Sequence, residues 1–262
     1  MEKTKLRSII KRTVTSLILA PAVIGCLYAG YPFLQLLVFV AGTMLAWEWS
    51  RMVPNSRGAF YVALYVFVVG VAVLLGSWLA FFISLFLGLI LAFVKSKGET
   101  RRKLLILGVP YISVGLGAIV WLYELVGFAV TLWFVLVVWM VDIGGYVVGC
   151  SVKGPKLAPK ISPNKTWSGL FGGMLFSVGI STAFCYYVGA EAHSLYYGIL
   201  AAMVAIISQI GDLIESAIKR SLNLKDSSDL IPGHGGVFDR IDGLIFAAPV
   251  VYVFFRYVLF LI

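Results

Sequence analysis

The chain has 262 residues, 61% of them hydrophobic and 13% charged, with a mean hydropathy of +0.98 and a formal net charge of +9. A water-soluble domain of this size needs more charge to cover its surface, so a soluble enzyme, a secreted disulfide scaffold and a disordered chain are all excluded. The composition is that of an all-α, polytopic integral membrane protein.

With a window of about 20 residues, the length that spans a bilayer core, apolar runs fall at 13–29, 31–49, 59–75, 78–94, 104–121, 126–141, 169–189, 195–211 and 243–262. That pattern predicts about nine transmembrane helices. The stretch from Ala59 to Val94 is too long for one span, and Gly76-Ser77 is the natural turn within it. The first run follows a basic segment, as a cleaved signal peptide would. No small-residue cleavage site ends it and eight more runs follow, so it reads as the first anchor helix. Cys26, Cys150 and Cys185 lie in or beside apolar runs at spacings that match no zinc or disulfide pattern, and read as buried thiols.

Basic loops are retained in the cytoplasm, so Lys and Arg on alternate connections report orientation. Lys3, Lys5, Arg7, Lys11 and Arg12 precede the first run. The segments 51–58, 95–103, 151–168 and 219–242 carry two, five, four and four more, which leaves only Arg256 inside the last run. The opposite connections show no Lys or Arg, only Glu124 and Glu191 as charges. The expected topology has a cytoplasmic N-terminus and an outside C-terminus in the cell (inner) membrane. The basic residues flank spans and do not cluster with exposed aromatics, so they suit anionic headgroups and not nucleic acid. Asn164-Lys165-Thr166 has the form of a glycosylation acceptor, but its cytoplasmic placement leaves it inert.

Chemistry must then come from helix ends and the two longest polar loops. Asp142 ends the sixth run, Asp212 and Glu215 end the eighth, and Asp226, Asp229, Asp239 and Asp242 follow, interleaved with Lys165, Lys219, Arg220, Lys225 and Arg240. Asp212 and Glu215 are three apart, as are Asp239 and Asp242, so on helical turns each pair shares a face and can aim two carboxylates at one cation. A solvated, salt-bridged loop is the plainer account. Gly233, Gly235 and Gly236 around His234 allow the backbone to approach a ligand and turn amides toward phosphate oxygens. Hard carboxylates, a glycine segment and several cations suit magnesium-assisted phosphoryl or nucleotidyl transfer. The segment Ser151 to Ser168 adds four lysines, Pro155, Pro159, Pro163 and the polar Ser162, Asn164 and Thr166, as expected of a rigid grip on an anion or of a basic interface loop.

The run from Ser216 to Asp242, SAIKRSLNLKDSSDLIPGHGGVFDRID, resembles the signature of the phosphatidate cytidylyltransferases, also called CDP-diacylglycerol synthases. Ser216, Lys219-Arg220, Lys225-Asp226, Pro232, His234-Gly235-Gly236, Asp239-Arg240 and Asp242 all fall at that family's spacing. Asp142-Ile-Gly-Gly-Tyr146 with Gly149, Ile161-Ser-Pro-Asn-Lys-Thr-Trp167 with Gly169, and Gly211-Asp212 with Glu215-Ser216 are similar to its other motifs. The likeness is strong over residues 140–245, whereas the first five runs match only as apolar helices. Ser168 stands where the family usually has Glu, which makes that carboxylate dispensable here or supplied elsewhere.

The resemblance implies that CTP and phosphatidic acid react to give CDP-diacylglycerol and pyrophosphate, with magnesium as cofactor and a second cation left open. It implies catalytic roles for Asp212, Lys219, Arg220, Asp239, Arg240 and Asp242. Of these, Asp212, Asp239 and Asp242 are the leading metal ligands, and Asp226 and Asp142 are secondary candidates. Ser162, Asn164, Lys165, Thr166, Ser216, Lys225, His234, Gly235 and Gly236 are the implied substrate-binding residues. The partners are CTP, phosphatidic acid and membrane lipids, and a homodimer stays open. The chain reads as one integral membrane domain, with residues 1–125 for anchoring and lipid access and 126–262 carrying the catalytic helices and loops. A site at the cytoplasmic helix ends calls for a lateral opening toward lipid.

His234 reads as a hydrogen-bond donor to phosphate more readily than as a proton carrier. Ser162 and Thr166 suit either phosphate contact or backbone capping. Glu48, between Trp47 and Trp49, reads as one charge in an aromatic belt, and Arg256 as a pairing or snorkelling side chain. Gly145 with Gly149 and Gly169 with Gly173 suit close helix packing, and Pro21, Pro110 and Pro249 suit kinks. A transporter is the rival class, disfavoured because the acids gather at one interface without a repeat. A related membrane phosphotransferase acting on another lipid phosphate or nucleotide is set aside only by the signature.

Overall fold

The computed structural model describes residues 2–52, 60, 63, 64, 67, 68, 70, 78–95, 102–230 and 235–257. Most of the run 59–75, the turn at Gly76-Ser77, Pro232, Gly233, His234 and residues 258–262 lie outside the described residues. The described elements are helices α1 (Glu2–Ala29), α2 (Phe33–Met52), α3 (Trp78–Lys95) and α4 (Arg102–Val152), then a hairpin of β1 (Lys156–Ala158) and β2 (Ser162–Thr166). Helices α5 (Trp167–Tyr187), α6 (Ser194–Ser221) and α7 (Phe238–Tyr257) complete them, with a single 3₁₀ turn at Glu191–His193 before α6.

Among the described residues, four helical stretches are long and apolar enough to cross a membrane: Phe33–Met52, Ile106–Val152, Trp167–Tyr187 and Glu191–Ser221. Val14–Ala29 and Leu79–Val94 are shorter apolar stretches. A straight helix of 47 residues would reach ~70 Å, more than twice a bilayer core. Gly127 interrupts it at φ 73°, ψ −171°, a backbone region open essentially to glycine. The two runs expected at 104–121 and 126–141 are therefore the two arms of α4. Pro21, Pro110 and Pro249 sit inside α1, α4 and α7, and the non-helical residue within α4 is Gly127, not Pro110.

Helices also outlast the apolar runs that announced them. Asp142 lies well inside α4, and Asp212 and Glu215 lie inside α6, which continues to Ser221. Hydropathy marks where apolar side chains stop, but the backbone ladder continues wherever charged side chains find partners.

Polarity is arranged as a lipid solvent requires. Leu17, Ile18, Leu79, Phe86, Phe171, Leu175, Leu195 and Ile199 are exposed on the helix exteriors, while Ser113, Thr131, Ser177, Ser181 and Ser208 are buried. Two of these hydroxyls have partners across helices: Ser177 donates to the Val137 carbonyl at 3.0 Å, and Ser181 accepts from Trp133 Nε1 at 2.8 Å. The three cysteines are free; Cys185 is buried, but Cys150 is exposed, which corrects the expectation of three buried thiols.

Glycines set the α4–α5 distance. A Cβ on Gly172 would lie 2.4 Å from Val148 Cβ and 2.9 Å from the Gly144 carbonyl, and one on Gly169 would lie 2.9 Å from the Gly145 carbonyl. Gly172→Leu is therefore expected to destabilise the protein by at least about 1–3 kcal/mol through overpacking. The check is the thermal midpoint in detergent against Gly179→Ala, where a Cβ meets nothing within 4 Å among the described residues.

Within the segment 151–168, residues 156–166 form a small antiparallel hairpin. Lys156 pairs with Thr166 and Ala158 with Ser162, with an irregularity between them, and Ile161 N–H closes the turn on the Ala158 carbonyl at 3.1 Å. Thr166 then N-caps α5 by accepting from Gly169 N–H at 3.1 Å.

Candidate active site

Helix α6 carries four polar residues along the stripe Asp212, Glu215, Ser216 and Lys219, a spacing that places them on adjacent turns. Helix α7 brings Asp242 against them. One carboxylate oxygen from each of Asp212, Glu215 and Asp242 lies within 4.8 Å of the others, and Glu215 and Asp242 are buried. Asp142, from α4, is close enough for its charge to act on Asp242 and to feel Asp212, Lys165 and Arg240.

Two lysines offset this concentration of negative charge. Lys165 on β2 pairs with Asp212, so the hairpin is tied to α6 through the acidic centre. Lys219 is buried and bridges Glu215 Oε2 and Asp239 Oδ1, each at 2.6 Å. Arg220 points elsewhere: its Nε donates to the Ile161 carbonyl at 3.2 Å and Nη1 to the Leu224 carbonyl at 3.1 Å, bracing the hairpin turn against the end of α6.

Asp239 organises the loop ahead of α7. It accepts from Lys219, from Gly236 N–H at 2.8 Å, and from the Ser227 N–H and hydroxyl at 3.1 and 3.0 Å. Burial works against its charge, but Lys219 and the amides of Gly236 and Ser227 outweigh it and hold the carboxyl below its usual range. Gly235 has φ +84°, and a Cβ on Gly236 would lie 1.8 Å from Ser227 Oγ and 2.6 Å from Glu48 Oε1. The Gly236 amide is therefore turned to the chain's own carboxylate, where the sequence suggested phosphate.

The remaining expected residues divide clearly. Ser216 donates to Asp212 Oδ1 at 3.4 Å, beside the cluster. Thr166 serves as the α5 cap, and Ser168, the departure from the resembled pattern, donates to the Lys153 carbonyl. Ser162 and Asn164 stand on β2 with Lys165, Arg240 is exposed near Asp142, and Lys225 and Asp226 are exposed on the loop after α6. His234 lies outside the described residues.

Two carboxylates gained importance from the structure. Glu215 was legible as a partner of Asp212 by its three-residue spacing. Glu48 was not: it is completely buried on α2 and bonded to the loop ahead of α7, not set in a surface aromatic belt. Beside it, a cavity of about 420 Å³ is lined by Trp47, Arg51, Met52, Leu224 and residues 227–230.

Helices of membrane-crossing length thus carry an acidic cluster, two paired lysines and a tight glycine segment, the arrangement of an integral membrane protein. The Cytidylyltransferase family model matches residues 10–258. The chain belongs to the cytidylyltransferase family, and is thus a nucleotidyltransferase. It is 32% identical over 253 residues to a phosphatidate cytidylyltransferase of Brucella suis biovar 1, covering 93% of this chain and 92% of that one. It is 33% identical over 262 residues to one of Pseudomonas aeruginosa, covering 92% and 94%, and 39% identical over 117 residues to one of Bacillus subtilis, covering 45% and 44%.

Proposed function

We propose that the chain transfers CMP from CTP to phosphatidic acid, giving CDP-diacylglycerol and pyrophosphate. The observation that carries this reading is the convergence of Asp212, Glu215 and Asp242 beside Lys165 and Lys219. Among the described residues, Glu215 Oε1 is buried without a hydrogen-bond partner, as expected of an oxygen reserved for a cation. Three hard carboxylate oxygens suit magnesium. Asp212, Glu215 and Asp242 would hold it, Glu215 taking the place that the sequence gave Asp239, with Asp142 flanking. The bound ion supplies charge neutralisation for the triphosphate.

The chain's own residues do the rest. Phosphatidic acid carries a phosphate monoester with a second pKa of about 6, already mostly dianionic at neutral pH. Its oxygen attacks the α-phosphorus of CTP, the bond from that phosphorus to the bridging oxygen breaks, and pyrophosphate leaves with the electron pair; no general base is required. Lys165 and Arg240 meet the phosphates, while Lys219, Arg220 and Asp239 hold the frame. The chain crosses the inner membrane nine times, N-terminus in the cytoplasm and C-terminus outside, a reading supported by the distribution of its basic residues. CTP then arrives from the cytoplasm and phosphatidic acid through a lateral opening to the inner leaflet. Residues 1–125 anchor the chain and shape lipid access, and residues 126–262 carry the chemistry.

The deciding measurement supplies purified protein in detergent with phosphatidic acid, magnesium and α-labelled CTP, ATP, GTP or UTP in parallel. Label is expected in chloroform-soluble lipid from CTP alone, and EDTA is expected to abolish it. Label from another nucleotide, or none from folded protein, overturns the reading.

A further inference from the structure

The first helices of the chain reach into the active site through one side chain. Glu48 is 0% exposed, and burying a carboxylate is costly unless donors surround it. Here they do. Oε1 accepts from Val237 N–H at 2.8 Å and from the Ser228 hydroxyl, and Oε2 accepts from Phe238 N–H at 2.7 Å and from Ser227 Oγ at 3.3 Å.

The amides are those at the start of α7, where no helical carbonyl can reach them. Val237, which precedes the first helical residue, has no side-chain oxygen for capping, so a carboxylate from α2 performs that role from 189 and 190 residues away. Ser227 Oγ stands between Glu48 and Asp239, joining the two carboxylates that shape the glycine segment. The contact is reinforced by packing: the Trp49 ring lies 5.5 Å from Phe238 and 6.2 Å from Tyr111, and Trp49 Nε1 donates to the Leu104 carbonyl at 3.2 Å.

Asp242 lies one helical turn beyond Phe238. The register and direction of that first turn therefore decide whether its carboxylate meets Asp212 and Glu215. We propose that Glu48 is a positioning residue for nucleotidyl transfer, fixing the start of α7 so that Asp242 completes the acidic cluster. The inference rests on the function proposed above. It gives α2 a part in the chemistry, although Glu48 touches no reacting atom.

The test measures kcat and both KM values for CMP transfer by Glu48→Gln in lipid nanodiscs, normalised to folded protein. A Gln keeps the size of the side chain but turns an NH₂ toward donors. The expected result is a kcat about 10²-fold lower, the scale of a misplacement near 1 Å, with KM for phosphatidic acid within threefold of wild type and half-saturating magnesium raised. Ser228→Ala, which keeps the carboxylate and removes one donor to it, is expected to lower kcat about tenfold and to add little in the Glu48→Gln background. It decides the matter should Glu48→Gln not fold. Wild-type kcat in either folded variant, or a loss that disappears on normalisation, overturns the inference. A wild-type protein that transfers no CMP overturns the functional reading instead.

Discussion

Asp242→Asn is expected to lower CMP transfer by about 10²-fold or more while making the protein no less stable in EDTA. The two effects have opposite signs for one reason. Asp242 is buried close to the charges of Asp212 and Asp142, so without a cation its negative charge meets repulsion and poor solvation. Asn removes that penalty, and its own oxygen can keep the contact that Oδ1 makes with Gly243 N–H at 2.8 Å. The same neutralisation removes one of three oxygens available to a divalent ion and weakens its hold on the triphosphate. Thermal midpoints with and without magnesium separate the contributions: wild type is expected to gain from the ion by ligand linkage, and the variant to lose that gain. An Asn variant that keeps both transfer and magnesium stabilisation would place the metal elsewhere.

Lys219→Met is expected to have the largest effect on the fold. Lys219 is the cation between Glu215 and Asp239, and its removal leaves a buried and a half-buried carboxylate facing each other across a methyl group. Breaking a buried ion pair from one side typically costs about 3–5 kcal/mol, which for a chain of this length lowers the midpoint by about 6–20 °C. Adding Glu215→Gln to that variant is expected to restore part of the stability and none of the transfer, because the proposed metal site has then lost a carboxylate. A midpoint unchanged in Lys219→Met would mean that water, not Lys219, solvates the two acids.

Local order in the chain announced some of these features and concealed others. Apolar runs located the described helices because lipid imposes a length and a composition on each span, and the interruption near Glu124 announced the break in α4, although only the backbone reveals that Gly127 makes it. Asp212 and Glu215 were legible as a pair because a three-residue spacing shares a helix face. What separated Asp239 from Asp242 is tertiary: Lys219 and Ser227 reach Asp239, so it turns to the loop while Asp242 turns to the cluster. Thr166 left capping and phosphate contact equally open until Gly169 N–H was seen on its oxygen. Glu48 had no local signal, since Trp47 and Trp49 on either side suggest an interface belt and its partners lie far along the chain.

That distance bears on how the protein is made. Glu48 leaves the ribosome 190 residues before Phe238, so at about 5–20 residues per second its carboxylate waits roughly 10–40 s for the amides that satisfy it. Through that interval α2 carries an acid whose permanent partners have not been synthesised. Helices that emerge between must leave room for the last one, and assembly becomes productive only when α7 arrives. A chain stalled before that point lacks the amides of Val237 and Phe238, and the Glu48 carboxylate is left without the two backbone donors that satisfy it.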